Sequence, residues 1–407
     1  MRFDHSVSGL SCRLWILCTV AFFNALCFSA IVPILYQIIK QYNGVSWHMG
    51  IVFALFACAQ IIFTPLIGRL ADIVGKKIVL LASLFGSSCS ALIQAFAPSL
   101  EIFMIGRFVD GATGSTNALS QAMISLYTKE GEKTLWFARY HSMYGLGFIV
   151  GPLIPYMFSS QPLYVSFMFL SCVAIVLGLL IMICFDNDTN ISYDQPLQGL
   201  FDSLLTLFHL KNVSPIIIIH GVIACVASMF QVAIQPYVTH TFEDGATLIP
   251  LIFIVGGIVN CLSAPFVTKI SQYCSSSSLL IGTFVVRCLG YILLALVVDR
   301  WFFWILIVVF AYVNICSRSI VSHMIGRIAK RHNAGFIFGV TESVGGLGML
   351  LGPLFYSAVM LFVELRYQSY ALANKYAIPF LFMMLVSIGV CLYYMNSRLF
   401  LCRQKSS

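Results

Sequence analysis

Charge is scarce in this chain, so the few ionisable side chains inside its apolar runs are the first candidates for chemistry. Of 407 residues, 9% are charged and 60% apolar. Arg107 and Asp110 lie within one apolar run at i,i+3 spacing. Residues so spaced share a helix face and can pair. An ionisable group inside a membrane is costly unless paired or wetted, and it commonly marks a transport path. Two roles are open for this pair. Asp110 can gain and lose a proton while Arg107 tunes it, or the two can form a static ion pair that keeps the helix in register. Glu342 precedes Gly352 on a later run. A carboxylate withdrawn from water holds its proton more tightly, which suits a proton carrier. A place at the wet cytoplasmic edge is the equal alternative. His141, at the matching place in the first half, titrates near neutral pH, although its neighbours Arg139 and Tyr140 point to the interface.

The elements that position these groups are long apolar runs. A mean hydropathy of +0.94 and 14% aromatic residues exclude an ordinary soluble domain. A spanning helix needs roughly 20 apolar residues. Twelve such runs occur, near 14–39, 48–70, 78–97, 101–127, 134–158, 162–185, 213–239, 247–270, 278–298, 301–326, 335–361 and 377–398. The short alternating segments of a β-barrel are absent. Arg2 and Arg13 precede a first run too long for a signal-peptide core, so it is expected to remain as the first span. With the N-terminus inside, most of the 23 Lys and Arg fall on cytoplasmic loops. Only Lys40, Arg300, Arg366 and Lys375 fall outside, and Arg107, Arg287 and Arg318 lie within runs. This bias places both termini in the cytoplasm. The net charge of +8 therefore reflects membrane topology, and no nucleic-acid partner is expected. The 14 cysteines are scattered through apolar runs and read as small packing residues.

A polar break at 186–212 divides the runs six and six. The expected organisation is an N-terminal bundle over 1–185, a linker over 186–212 and a C-terminal bundle over 213–407. Leu197, Leu200, Phe201, Leu204 and Leu207 recur in the linker at helical spacing, which predicts a surface amphipathic helix, with a plain linker as the alternative. The halves look like a repeat. Thr64-Pro65 matches Ala264-Pro265, Arg69 matches Lys269, and Gly147-x-x-x-Gly151-Pro152 matches Gly348-x-x-x-Gly352-Pro353. Paired halves imply a site near the bilayer midplane.

One short stretch is dense in charge: Gly68-Arg69-Leu70-Ala71-Asp72-Ile73-Val74-Gly75-Lys76-Lys77. It reads as a tight loop with glycine at both ends, bringing two membrane helices close together. Its pattern closely resembles the loop between helices two and three of the major facilitator superfamily, G-x-L-a-D-r-x-G-r-k. Gly145-Leu146-Gly147-Phe148-Ile149-Val150-Gly151-Pro152 resembles that superfamily's antiporter motif, with Pro155-Tyr156 in place of the final glycine pair. Arg107-Phe108-Val109-Asp110-Gly111 resembles its R-x-x-q-G motif. The resemblance implies an all-α membrane protein of twelve transmembrane helices in two pseudo-symmetric six-helix bundles. It assigns Gly68, Arg69, Asp72, Gly75, Lys76 and Lys77 to a cytoplasmic gate, and Gly147, Gly151 and Pro152 to helix packing that accompanies exchange. Small residues spaced by four also occur in ordinary membrane-helix packing, and that alternative stays open.

Within the superfamily the first half is similar to drug:proton antiporters and vesicular amine transporters. Asn24 and Gln235 stand where the amine transporters carry acids, and Glu342 stands at a third such position. Spans one, seven and ten line the cavity in this family. Asn24, Gln231, Gln235, Asn314 and Arg318 are therefore expected to touch substrate, each with an interhelical hydrogen bond as the alternative. Tyr144 and Phe230 can offer aromatic surface to a hydrophobic or cationic ligand. The expected function is proton-coupled secondary transport, by efflux antiport of small amphipathic or cationic molecules. Proton-symport uptake of a nutrient or metabolite, with Arg318 or Arg287 reading an anionic group, is the second reading, and a transporter-like sensor or intramembrane enzyme the third. No Gly-x-Ser-x-Gly with matching partners, His-Glu-x-x-His or P-loop is present, so no enzymatic activity is expected. No cofactor or metal is expected. The expected partners are a small-molecule substrate, protons and the lipid bilayer of the cell (inner) membrane, with the chain a monomer.

Overall fold

The computed structural model describes residues 7–128, 130–158, 161–185, 214–273, 275–296, 299–329, 334–366 and 375–403. All regular elements among them are helical. The first six predicted spans contain α1 (Val7–Ile31) and α2 (Leu35–Gln41), joined by a 3-10 turn at Pro33, then α3 (His48–Val74), α4 (Lys76–Ala95), α5 (Leu100–Thr113), α6 (Thr116–Tyr127), α7 (Glu130–Val150), α8 (Leu153–Met157) and α9 (Tyr164–Cys184). The other six contain α10 (Ser214–Thr241), α11 (Gly245–Tyr273), α12 (Ser276–Leu296), α13 (Arg300–Ala329), α14 (Ala334–Arg366) and α15 (Ile378–Arg403). Nine helices among the described residues are long and apolar enough to cross a membrane. Shorter apolar helices, Ser142–Met157 and Thr247–Val259, occupy predicted spans five and eight. The expected amphipathic helix in 186–212 lies outside the described residues.

The chain divides into two compact units. One comprises Met1–Gly44, Leu55–Gln195 and Thr247–Gly257; the other comprises Val45–Ala54, Pro196–Ala246 and Ile258–Ser407. The same pairing scheme recurs inside each. In unit one α1 packs on α7, and α4 packs on both α9 and α5. In unit two α10 packs on α14, and α12 packs on both α15 and α13. Unit one buries Leu14, Leu17, Leu80, Met123, Trp136 and Ile181 in its core, and unit two buries Ile217, Ile223, Leu280, Phe284 and Val321. Large apolar side chains such as Leu66, Ile105, Ile183, Leu289 and Phe362 are exposed. So much exposed apolar surface needs a lipid neighbour, because soluble monomers keep such patches small. The protein is an integral membrane protein.

The repeat is visible atom by atom. A methyl added at Gly147 would overlap the Phe22 carbonyl of α1, and one at Gly348 would overlap the Gly221 carbonyl of α10. Ser29 Oγ donates to the Gly147 carbonyl at 3.1 Å, while Ser228 Oγ donates to that of Gly348 at 3.3 Å. Glycine lets the backbones touch, and a serine from the facing helix ties them. Proline acts differently in the two copies. Gly151-Pro152 separates α7 from α8, whereas Pro353 stays inside an unbroken α14.

Two expectations need correction. The charged stretch is not a loop from Gly68 to Lys77. Helix α3 continues to Val74, and the reversal is made by Gly75 alone at φ 108°, a region costly for other residues. Gly68 is an ordinary helical residue with no atom within 4 Å of where a Cβ would sit. Leu70, Ile73 and Val74 at this end of α3 are exposed. Span four is not one rod, since it stops at Thr113 and restarts at Thr116. Gly114 and Ser115 are poor helix formers, and their sequence neighbours Thr113 and Thr116 add β-branched crowding.

Candidate functional site

Unit one holds the charged pair. Ser99 caps α5 by accepting from the Ile102 amide, which fixes where the helix begins and hence which face carries Arg107 and Asp110. Arg107 Nη1 lies 2.6 Å from an Asp110 carboxylate oxygen, with the arginine 1% exposed and the aspartate 21%. The i,i+3 pairing read from spacing is therefore formed. Gly111, next in the motif, sits so close to α3 that a methyl there would overlap the Phe56 carbonyl. That approach brings the Phe56 ring within 4.5 Å of the Arg107 guanidinium carbon. The glycine of the Arg-x-x-Asp-Gly motif thus supplies the arginine with a cation–π partner. Arg107 Nε is buried and has no hydrogen-bond partner among the described residues.

An aromatic ladder leads to this pair. Tyr144 and Phe148 lie 5.3 Å apart between ring centroids, Phe148 and Phe28 5.9 Å, and Phe28 and Phe56 5.8 Å. All four rings are half-buried. Tyr144, expected as an aromatic contact, is the far rung of this ladder. Phe28, Phe56 and Phe148 were missed by sequence reasoning. Phe148 follows Tyr144 by one helical turn, a signal that was available.

Asn24 hydrogen-bonds across to α6. Its amide nitrogen donates to Thr116 Oγ1, and its oxygen accepts from Asn117 Nδ2 at 3.3 Å. Tyr140 Oη donates to Asn117 Oδ1 at 2.9 Å. The start of α6 is thereby tied to α1 and α7, and the interhelical hydrogen bonds open to Asn24 are formed. The restart of span four at Thr116 is what brings Thr116 and Asn117 to it.

In unit two, Phe230 packs among Phe310, Phe380 and Tyr291 at centroid distances of 5.1, 5.9 and 6.3 Å. Part of its ring is spent on this aromatic core. Gln235 is fully buried and donates to the Gln231 carbonyl at 3.4 Å; Gln231 itself is half-buried. Asn314 accepts from Arg287 at 3.5 Å, and Arg318 is exposed. Arg287 itself is 3% exposed at the middle of α12. A cation at the centre of a spanning helix costs about 2.5–3.5 kcal/mol on insertion scales. It carries more weight than the sequence alone suggested.

Among the residues expected at the gate, Gly75 makes the turn, Lys76 opens α4 half-buried, and Lys77 is buried at 8%. Gly151 meets Ser29 and Leu26 of α1, and Pro152 is buried at the break after α7. The side chains of Arg69, Asp72, His141 and Glu342 lie outside the described residues, although their backbones belong to α3, α7 and α14.

A repeated bundle of apolar helices around a buried arginine–carboxylate pair defines a membrane transport protein. The model of the Major Facilitator Superfamily matches residues 17–353, and the chain belongs to that family. It is 24% identical to the tetracycline resistance protein, class E, of Escherichia coli, over 83% of this chain and 86% of that one. It is 24% identical to the quinolone resistance protein NorA of Staphylococcus aureus (strain COL), over 81% and 85%. The solved structure of the nucleoside transporter NupG superposes with a TM-score of 0.77 at 14% identity, covering 95% of this chain and 98% of that one.

Proposed function

We propose that this protein is a proton-coupled efflux antiporter of small amphipathic or cationic molecules, working by alternating access and not as an enzyme. The observation that carries the reading is the half-buried aromatic ladder ending on Arg107 and Asp110. A flat apolar cation stacks on such rings, and its charge is drawn to a carboxylate. A proton on Asp110 removes that attraction, so proton and substrate compete for one group. Competition for a shared carboxylate is the simplest physical basis of exchange. Relatives whose names record resistance to tetracycline and to quinolones support export of drug-like molecules. Arg107 holds the carboxylate in place. Gly75, Lys76 and Lys77, with Arg69 and Asp72, serve as the cytoplasmic gate, and both termini lie in the cytoplasm of a cell that carries the protein in its (inner) membrane.

The test is transport direction in proteoliposomes under an imposed pH gradient. With an acidic lumen, a fluorescent amphipathic cation should accumulate inside as protons leave. Accumulation driven only by protons moving in the same direction would establish the symport reading instead. Flux indifferent to the gradient would remove proton coupling altogether.

A further inference from the structure

We infer that Arg287 of unit two, held by Ser317 and Asn314, is a subsite for an oxyanion, chiefly a carboxylate, carried by the transported molecule. The inference rests on the efflux reading for its occupant and on different residues for its site. Arg287 Nη2 donates to Ser317 Oγ at 2.7 Å and to Asn314 Oδ1 at 3.5 Å. Both acceptors are neutral and come from α13. The guanidinium carbon also lies 5.9 Å from the Phe284 ring centroid. Among the described residues no carboxylate forms an ion pair with it.

The two buried arginines differ in what satisfies them. Arg107 has a carboxylate, a ring and 1% exposure. Arg287 has comparable burial at 3%, sits at mid-helix and, among the described residues, is met by two neutral acceptors and the more distant Phe284 ring. A guanidinium offers five N–H donors in a planar fork, and Ser317 and Asn314 both engage one terminal nitrogen. The Nη1 and Nε donors make no hydrogen bond to the described residues. That edge has the geometry that receives a carboxylate with two parallel bonds. Ser317 is fully buried and anchored on the Val313 carbonyl at 2.9 Å, so it holds the fork in one orientation. An unpaired cation in an apolar setting is costly, and an anion arriving with the substrate removes that cost. A purely structural arginine would gain more from a carboxylate built into the chain.

The experiment compares a rhodamine bearing a free carboxylate with its methyl ester, which differ in one anionic group. Binding is measured by fluorescence polarisation on purified protein in detergent. The wild type should bind the acid at least tenfold more tightly than the ester. Arg287→Gln should erase that preference while leaving ester affinity within twofold, and Arg287→Lys should keep part of it. Equal weakening of both probes in Arg287→Gln would make the arginine a packing element and overturn the inference. So would a wild type that shows no preference, or a preference that survives in Arg287→Gln. If Arg287→Gln does not fold, Asn314→Ala and Ser317→Ala should each reduce the preference, and an unchanged preference in both overturns it. Failure of proton-driven transport with the acid preference intact would instead defeat the antiport reading alone.

Discussion

Replacing Asp110 with asparagine preserves shape and removes charge, and it tests structure and coupling together. Breaking a buried ion pair by deleting one partner costs about 3–5 kcal/mol, because the surviving charge is stranded. The stranded group here is Arg107, 1% exposed, with Phe56 at 4.5 Å as its remaining support. Asparagine keeps one hydrogen bond to the guanidinium, worth about 1 kcal/mol. Asp110 is 21% exposed, so some solvent reaches the pair and softens the loss. The expected net destabilisation is about 2–3 kcal/mol. Arg107→Met in the Asp110→Asn background removes the stranded charge and fills its space beside Phe56 with a flexible thioether. The double variant should return to within about 1 kcal/mol of wild type, since apolar replacement of a buried pair is often neutral. Unfolding in detergent measures stability, and proteoliposome flux measures coupling. Both variants should lose flux driven by a pH gradient, and Asp110→Asn should retain substrate-driven exchange. Destabilisations that simply add would refute the pairing. Undiminished pH-driven flux in Asp110→Asn would refute the proton role.

Other outcomes follow from the same geometry. Phe56→Ala should weaken binding of an amphipathic cation about tenfold, from a lost stacking face and cation–π support together, as read by fluorescence polarisation; unchanged affinity would place the ladder outside the binding path. Gly151→Leu should cost about 1–3 kcal/mol or more by pushing against Ser29 and Leu26, measured by thermal unfolding. Gly68→Ala should leave stability unchanged or raise it by up to about 1 kcal/mol, because nothing lies within 4 Å of the new methyl and alanine favours a helix. Asp72→Asn should slow turnover with little change in affinity; a selective loss of affinity would contradict its assignment to the gate.

The pattern of apolar runs carried the fold into view because bilayer thickness sets their length and helical hydrogen bonding closes every backbone group. The Arg107–Asp110 pair was legible for a local reason, since residues three apart on a helix meet whatever surrounds them. Gly147 and Gly348 were legible as a repeat, although the serines that tie them, Ser29 and Ser228, come from facing helices and show only in three dimensions. The hydrogen-bond partners of Asn24 on α6 were not legible because they lie 92 and 93 residues away in sequence. The end of α3 was misread because charge and glycine were taken as a loop signature. A helix leaving the membrane can carry both until one glycine reverses it. Phe230 was chosen for its ring, and the rings that enclose it come from α12, α13 and α15.

The interruption at Gly114 and Ser115 gives the two pieces of span four separate attachments. The lower piece, α6, is bolted by Thr116 and Asn117 to its neighbours. The upper piece, α5, bears the acid and leans on α3 through Gly111. A continuous rod would have to drag both sets of contacts whenever the acid moved. Under the proton role proposed for Asp110, a jointed one lets that carboxylate travel a short way on its own lever, so loading and unloading a proton need not loosen the polar clasp around Asn24.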